Sequence, residues 1–269
     1  MCTDLANIES VHTFACKRYM NVPPRVPNKF VYGETGRYPL YVNTLVRSIS
    51  YWLKLQRMEL TRLPRQAYLM LCNMDERGKE CWVTHVRNAL CWHGFGYVWL
   101  QQGVGCEKAF IACFKKRLVD VYQQEWNSSV MCKDMYAHYR SFKTAFEAEP
   151  YFQWMNIKCF RDSLIKLRLG ILPINGSAFR SVIGHDASRV CDYCQHGVIE
   201  NEEHFVFTCP LYASLRAQYL EILVNNRMSF TDMMNCDNMD IVRNLGTFIF
   251  YACRLRTDYV QCISSSQDQ

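Results

Sequence analysis

The chain has 269 residues, of which 49% are hydrophobic and 21% charged, and its formal net charge is +6. This composition is that of an ordinary globular chain of one or two domains and excludes collagen-like and low-complexity disordered proteins. No apolar run approaches the roughly 18 residues that a membrane span needs, and the N-terminus lacks the basic head and apolar stretch of a secretory signal. We therefore expect an intracellular protein that does not bind a membrane.

Helical periodicity runs through almost the whole sequence. Apolar residues recur at steps of three and four, the spacing that places them on one face of a helix. In chain order, this pattern predicts helices over residues 41–58 and 82–92, from residue 107 onward, and over 159–169 and 241–255. No stretch alternates apolar and polar residues for long enough to indicate a sheet. The sequence therefore predicts a mainly α fold.

One stretch, from Gly170 to Arg189, combines glycine and proline breaks with weak periodicity. It indicates a boundary between a helical body at residues 1–170 and a C-terminal segment at residues 190–269, with residues 171–189 as the linker. The C-terminal segment opens with a cluster of cysteines and continues into helices. We expect the first of these helices to begin at Pro210, because proline favours the first helical position.

The chain contains fifteen cysteines, a high and odd count. A secreted disulfide scaffold of this density would be short and rich in loops, so the count indicates a reducing compartment. Cysteines inside apolar periodic segments are expected to be buried and inert, since a thiol behaves there as a small hydrophobe. These are Cys72, Cys91, Cys113, Cys132, Cys159 and Cys253.

A different cysteine cluster has the spacing of a metal site. Cys191 and Cys194 are separated by two residues, His204 follows after nine more, and Cys209 after a further four. Cys-x2-Cys places two thiolates on one tight turn, and a histidine and a third cysteine complete a tetrahedral shell for one structural zinc ion. His196 and His185 are rivals to His204, and the alternative is three buried thiols beside a surface imidazole.

Charge is distributed unevenly along the chain. Residues 17–65 hold ten Lys and Arg against two acids, whereas residues 191–240 hold eight acids against two arginines. The basic stretch is a candidate surface for nucleic-acid phosphates. Attraction between the two stretches within one protein is the alternative, and charge alone does not decide between them. The candidate phosphate-binding residues are Arg25, Lys29, Arg37, Arg47, Lys54, Arg57, Arg62 and Arg65.

Other patterns in the sequence are weaker. The pairs Gly94/Gly96 and Gly103/Gly105 lack the third glycine of a dinucleotide-binding loop and are typical of turns between helices. No local signature favours a Cys–His nucleophile. Base stacking by tyrosines of the basic stretch is a minor possibility beside a core role. These tyrosines are Tyr38, Tyr41 and Tyr51.

Three strings of the sequence carry a resemblance to a known family. They are Val31-Tyr32-Gly33-Glu34-Thr35-Gly36-Arg37-Tyr38-Pro39-Leu40, Tyr51-Trp52-Leu53-Lys54-Leu55 and Gly94-Phe95-Gly96-Tyr97-Val98-Trp99. They resemble the region that follows the polymerase domain in reverse transcriptases of non-LTR (LINE-like) retrotransposons. The Cys191–Cys209 spacing resembles the CCHC zinc-binding segment that closes many such polyproteins. The resemblance covers nearly the whole chain and implies that residues 1–170 correspond to thumb or connector helices.

The resemblance also implies which activity is missing. Reverse transcriptases of this family hold their catalytic metals with an aromatic-x-Asp-Asp motif, and this sequence has no Asp-Asp pair, no room before Cys16 for fingers and palm, and no apurinic-type endonuclease. We therefore expect a truncated element copy or derived reading frame that is not an enzyme. It would bind zinc and, through its basic half, RNA or DNA. The alternative is a structural or protein-interaction remnant in which zinc serves only folding.

Overall fold

In a computed structural model, which describes residues 3–177, 189–194 and 197–267, the protein is built almost entirely from helices, and the predicted mainly α class is confirmed. Within these ranges, extended pairing is limited to two isolated bridges, Thr35–Ala148 and Val190–Ile199. None of the described helices combines the length and apolar character needed to cross a bilayer.

The helices of the N-terminal part are α1 (Thr3–Met20), α2 (Asn28–Thr35), α3 (Leu40–Gln56), α4 (Leu63–Glu76), α5 (Trp82–Trp92), α6 (Gly96–Gln101) and α7 (Glu107–Cys132). Those that follow are α8 (Ala137–Arg140), α9 (Tyr151–Trp154), α10 (Lys158–Arg168), α11 (Ala213–Tyr219), α12 (Glu221–Asn225), α13 (Phe230–Met234) and α14 (Met239–Gln267). The five helices predicted from periodicity correspond to α3, α5, α7, α10 and α14. A 3₁₀ turn at Pro210–Tyr212 leads into α11, as the proline predicts.

The chain divides into two compact units that interleave along the sequence. The first unit comprises Met1–His12 and Tyr38–Glu125, and the second comprises Thr13–Arg37 and Trp126–Gln269. The second unit therefore takes residues from both sides of the predicted boundary at 170–190. The predicted ranges 1–170 and 190–269 stay predictions, and most of the predicted linker, residues 178–188, lies outside the described part of the chain.

The core of the first unit forms where α3, α5 and α7 bury their apolar faces. Ile49 and Trp52 of α3 pack with Leu90 of α5 and Phe114 of α7, and all four are almost fully buried. The indole N–H of Trp52 donates to the hydroxyl of Tyr68 at 3.1 Å, which satisfies the polar atom of a buried ring.

The core of the second unit forms along α10 and α14. Leu164 and Ile165 of α10 and Phe248 and Ile249 of α14 are buried. A Cβ added to Gly246 of α14 would lie 2.9 Å from the carbonyl oxygen of Phe160. The glycine therefore permits a close approach of the two helices that a larger residue would prevent.

A network of buried charges also lies in the second unit. Arg168 donates to Glu34 at 2.9 and 3.3 Å and contacts Glu149 at 2.9 Å, while Lys143 contacts the other oxygen of Glu149. The hydroxyl of Tyr151 donates to Glu34 at 2.6 Å. Burial opposes ionisation of Glu34, but Arg168 and Lys143 outweigh it and hold the pKa of Glu34 below its usual value.

The expectation that cysteines of periodic segments are buried is wrong for four of the six. Cys91, Cys113, Cys132 and Cys159 are exposed, and Cys72 and Cys253 are half-buried. In α7 the buried stripe advances in steps of four from Phe110 to Val130. Because each residue turns the helix by about 100°, Cys113 lies beside that stripe and Cys132 on the opposite side.

Candidate metal centre

The first two cysteines of the motif lie on a short hairpin. The N–H of Cys191 donates to the carbonyl of Val198 at 2.9 Å, and the N–H of Glu200 donates to the carbonyl of Arg189 at 2.8 Å. Gly197, at φ 63°, supplies the left-handed residue that returns the chain. Cys191 thus ends one arm of the hairpin, and Cys194 follows in the turn.

The other two residues of the motif lie at the ends of a π-helical turn, His204–Thr208. His204 begins the turn, and Cys209 directly follows it. The N–H of Cys209 donates to the carbonyl of His204 at 2.9 Å, and Asn201 Oδ1 accepts from the N–H of His204 at 2.8 Å. Arg216 braces the turn by donating to the carbonyls of Val206 at 2.7 Å and Cys209 at 2.9 Å. A turn of five residues places Cys209 beside the hairpin, a use of π-helical geometry that recurs at functional sites.

The donor atoms of the hairpin and the turn converge. The Sγ atoms of Cys191 and Cys209 are 3.8 Å apart, and Cys194 Sγ is 3.6 Å from His204 Nε2. The donor atoms of Cys191, Cys194 and His204 all lie within 4.8 Å of one another. The structure therefore brings these three residues together and places Cys209 against Cys191. His196 and His185, the rivals to His204, lie outside the described residues.

The separations can be compared with the geometry of a zinc ion. With Zn–S at about 2.3 Å and Zn–N at about 2.05 Å, a tetrahedral ion holds two sulfurs about 3.8 Å apart and a sulfur and nitrogen about 3.6 Å apart. The Cys191–Cys209 and Cys194–His204 separations, two of the six among four donors, agree with these values. A disulfide would instead bring two sulfurs to about 2.05 Å. The group that could hold a metal ion comprises Cys191, Cys194 and His204, and Cys209 lies beside Cys191.

Burial makes the two inner thiols costly to ionise without a cation. Burial raises the pKa of Cys191 to about 12 and also raises the pKa of Cys209. In both cases a backbone hydrogen bond from the residue two positions further on, Tyr193 or Leu211, acts in the opposite direction. A divalent ion bound between the sulfurs would supply the missing charge.

The ring of His204 is oriented by its own helical turn. Its Nδ1 lies 2.8 Å from Thr208 Oγ1, and the Thr208 hydroxyl donates to the carbonyl of His204 at 3.4 Å. The Nδ1–Oγ1 contact holds the ring with Nε2 facing Cys194. Partners of this kind fix the tautomer of metal-binding histidines.

An ion pair ties the hairpin to α14. Arg256 donates to both carboxylate oxygens of Glu200 at 2.9 and 3.0 Å and to the carbonyl of Pro173 at 2.8 Å. Its guanidinium also lies 4.5 Å from the centre of the ring of Tyr193, the residue that precedes Cys194 in the sequence. No local spacing in the sequence predicts Arg256 as a support, because it lies 56 residues beyond Glu200. Arg216 lies on the next helix, seven residues after Cys209, but no ligand motif marks it.

The candidate phosphate-binding residues are divided between the two units. Arg25, Lys29 and Arg37 belong to the second unit, and the remaining five to the first. Arg57 is exposed but paired with Glu107 at 2.8 Å, and half-buried Arg65 donates to Leu55 and Gln56. The other exposed candidates are Arg25, Arg37, Arg47, Lys54 and Arg62.

Two of the three tyrosines considered for base stacking are packed within the first unit. Tyr38 and Tyr41 each contact the edge of Tyr122, and Gln123 donates to the hydroxyl of Tyr38 at 2.8 Å. Tyr51 is exposed beside Trp82.

No protein family, curated protein or solved structure matches the chain. The most specific chemistry among the described residues is the convergence of cysteine and histidine donors between the hairpin and the π-helical turn.

Proposed function

We propose that this protein is a zinc-binding and nucleic-acid-binding fragment derived from a non-LTR retrotransposon reverse transcriptase, without polymerase activity. The observation that carries the zinc part is the pair of donor separations, 3.8 Å between two sulfurs and 3.6 Å between sulfur and nitrogen. The zinc ligands are Cys191, Cys194, His204 and Cys209.

The zinc ion has a structural role in this proposal. Four protein ligands leave no open position for water or substrate. The ion would join the hairpin, which carries Cys191 and Cys194, to the π-helical turn, which carries His204 and leads to Cys209. Metal binding and the folding of this segment are therefore coupled.

Nucleic-acid binding is supported by the cations of the first unit. Arg47 and Lys54 lie seven residues apart on α3, hence on one face of that helix, and both are exposed. Arg62 is exposed at the start of α4. Cations that are held in place by a helix and remain solvent-exposed are suited to contact phosphates without reading base sequence.

The lack of polymerase activity rests on the sequence. A metal-dependent polymerase needs paired carboxylates, and the chain has no Asp-Asp pair. Asp120, Asp134 and Asp162 are spaced along separate turns or helices. Primer extension on RNA or DNA by the purified chain would contradict this part of the proposal.

A second candidate function is a structural or protein-interaction remnant in which zinc serves only folding. The contacts of Arg57 with Glu107 and of Arg65 with Gln56 favour it, because they engage part of the basic stretch within the protein. The two candidates differ in what they predict for nucleic acid.

The test is a titration of the zinc-loaded chain into labelled single-stranded and duplex oligonucleotides at two salt concentrations. We expect binding that weakens steeply with salt and depends little on sequence, because phosphate contacts release counterions. A chain that contains one zinc but binds neither form at low salt would reject the first function in favour of the second.

A further inference from the structure

A cavity of about 170 Å³ lies in the second unit, between the loop that joins α8 to α9 and the segment that joins α13 to α14. Its apolar lining is supplied by Trp154, Leu164, Met233, Val242 and Leu245. An apolar cavity of roughly 150 Å³ accommodates one benzene ring. The cavity therefore has the size and the walls to hold a small organic molecule.

Charged residues of both signs also line this cavity, and the acids outnumber the cations. They are Lys143, Glu147, Glu149, Arg168 and Asp237. Arg168 also donates twice to Glu34, a buried carboxylate that does not belong to the lining. With Glu34, the group has four carboxylates against two cations, a net charge of −2 when all are ionised. A cleft with an excess of one sign of charge attracts a ligand of the opposite sign, here a cation.

Two of these carboxylates have no cation of their own. Glu147 and Asp237 are exposed, and neither forms an ion pair with any residue that the structure describes. Lys143 reaches Glu147 at its backbone carbonyl, at 2.8 Å, rather than at its carboxylate. Both carboxylates are therefore available to a cationic group that enters the cavity.

The third carboxylate, that of Glu149, is short of positive charge although two cations contact it. Burial and the neighbouring Glu34 raise the pKa of Glu149 above its usual value, and the attraction of Arg168 and Lys143 does not offset them. A further cation in the cavity would stabilise the ionised carboxylate, whereas an anion would be repelled by it. The charges of the cavity therefore favour a cationic ligand.

The lining suits an organic cation better than a metal ion. Calcium and magnesium need several oxygen ligands at about 2.0–2.6 Å from one centre. Among the residues that the structure describes, only Cys191, Cys194 and His204 form a group of three or more potential ligands whose donor atoms converge within 4.8 Å. The carboxylates of the cavity do not converge in this way, and its apolar walls match the body of an organic molecule.

Trp154 offers an aromatic face to such a ligand. The rings of Phe142 and Tyr151, which also line the cavity, already have the guanidinium of Arg168 at 4.9 and 5.6 Å from their centres. Trp154 is half-buried, and no cation lies over its ring in the described part of the chain. An indole ring attracts an ammonium group more strongly than the other aromatic side chains do.

We propose that this cavity binds a small organic monoamine with a single apolar ring, its ammonium group held by the carboxylates of Glu149 and Asp237 and its ring packed against Trp154. Neither zinc nor nucleic acid is required for this binding, which goes beyond the function proposed above. A polyamine would bring further charges against the apolar walls, where a charge without a partner is costly.

The experiment is a calorimetric titration of the full chain at pH 7 and low salt with three ligands of similar shape and different charge. They are phenethylamine, which is cationic, phenethyl alcohol, which is neutral, and hydrocinnamate, which is anionic. We expect phenethylamine to bind about 10- to 150-fold more tightly than the alcohol, the range for a hydrogen bond to a charged group. Hydrocinnamate should not bind detectably, because the carboxylates of the cavity repel it.

Variants of the exposed carboxylates locate the ammonium group, since replacing Glu149 would also remove a partner of two buried cations. Asp237→Asn and Glu147→Gln should each weaken phenethylamine binding by about 1.5- to 5-fold, the effect of one exposed ion pair, and leave phenethyl alcohol unchanged. Trp154→Ala should weaken both ligands, because both place a ring against the indole. The control, Asp258→Asn, replaces an exposed acid of the same unit outside the cavity and should change neither affinity.

Several results would overturn the proposal. One is equal affinity for phenethylamine and phenethyl alcohol, and another is phenethylamine binding that Asp237→Asn and Glu147→Gln both leave at the wild-type value. Tighter binding of hydrocinnamate than of phenethylamine would show that the cavity prefers an anion. A wild-type chain that does not bind phenethylamine would reject the site, and it would leave the proposed zinc and nucleic-acid binding untouched.

Discussion

Cys194 is the proposed zinc ligand best suited to substitution. It is only half-buried and lies in a turn, so its replacement disturbs the packing least. We expect Cys194→Ser to lower zinc affinity by orders of magnitude and to loosen residues 190–220, since a hydroxyl is a poor zinc ligand and the segment folds around the ion. Zinc content after dialysis and amide hydrogen exchange over that segment are the measurements.

Cys113→Ser is the matched control, because Cys113 is an exposed cysteine of α7 outside the site. It should retain one zinc and unchanged exchange. Equal zinc content in Cys194→Ser and Cys113→Ser would show that Cys194 is not a ligand.

The buried carboxylate of Glu34 makes the stability of the fold depend on pH. Its pKa is lowered in the folded protein, so its contribution to stability is present above the unfolded value of 4.5 and is lost as the pH falls through the folded pKa. Glu34→Gln removes one partner of buried Arg168 and should destabilise by about 3 kcal/mol at pH 7. It should also flatten the loss of stability below pH 4.5, measured by urea unfolding from pH 3 to 7.

The matched control for Glu34 is Glu59→Gln, an exposed acid of the same basic stretch. It should change neither stability nor its pH dependence measurably. A Glu34→Gln protein with wild-type stability at pH 7 would show that the ion pair of Glu34 with Arg168 does not stabilise the fold.

At the scale of elements, the π-helical turn depends on one side chain from α11. Arg216 donates to two of its carbonyls, at Val206 and Cys209. Arg216→Ala should weaken zinc binding by about 10- to 100-fold without removing a ligand, the effect seen when the supports of metal ligands are removed. Competition with a chromophoric chelator measures the zinc affinity. The control is Gln218→Ala, which replaces an exposed residue of the same helix. Equal affinities in the two variants would remove Arg216 from the site.

The same elements show what local pattern can predict. The helices α3, α5, α7, α10 and α14 follow from apolar spacing because a buried face must repeat with the helical turn. The donor cysteines and His204 could be proposed from the sequence for a similar reason, since ligand spacing is local. The π-helical turn could not be predicted, because a four-residue gap between His204 and Cys209 is equally compatible with an α-helical turn.

At the scale of the whole molecule, the pairs that organise the fold are far apart in sequence. Glu34 and Arg168 are separated by 134 residues, and Glu200 and Arg256 by 56. Neither pair has a local signature, and the sequence singled out Glu34 only within the Val31–Leu40 string that carries the family resemblance. The interleaving of the two units and the exposure of Trp92 could not be predicted from the sequence for the same reason. Both depend on which helix faces meet in three dimensions.

The basic surface is tested by charge removal at Arg47, Lys54 and Arg62, which are exposed in the first unit. We expect Arg47→Ala/Lys54→Ala/Arg62→Ala to flatten the log–log dependence of single-strand affinity on salt by about 0.7 for each phosphate that the variant no longer neutralises. Zinc content and unfolding temperature should stay at wild-type values. If the basic stretch instead pairs with acids of the protein, the triple variant would lower the unfolding temperature and leave the salt slope unchanged.

X-ray absorption spectroscopy of the zinc-loaded chain identifies the atoms bound to the metal most directly. We expect one zinc with three sulfurs at about 2.3 Å and one nitrogen at about 2.0–2.1 Å, and loss of one sulfur in Cys209→Ser. A chain that binds no zinc, or a spectrum with two sulfurs in the wild type that Cys209→Ser leaves unchanged, would contradict this expectation.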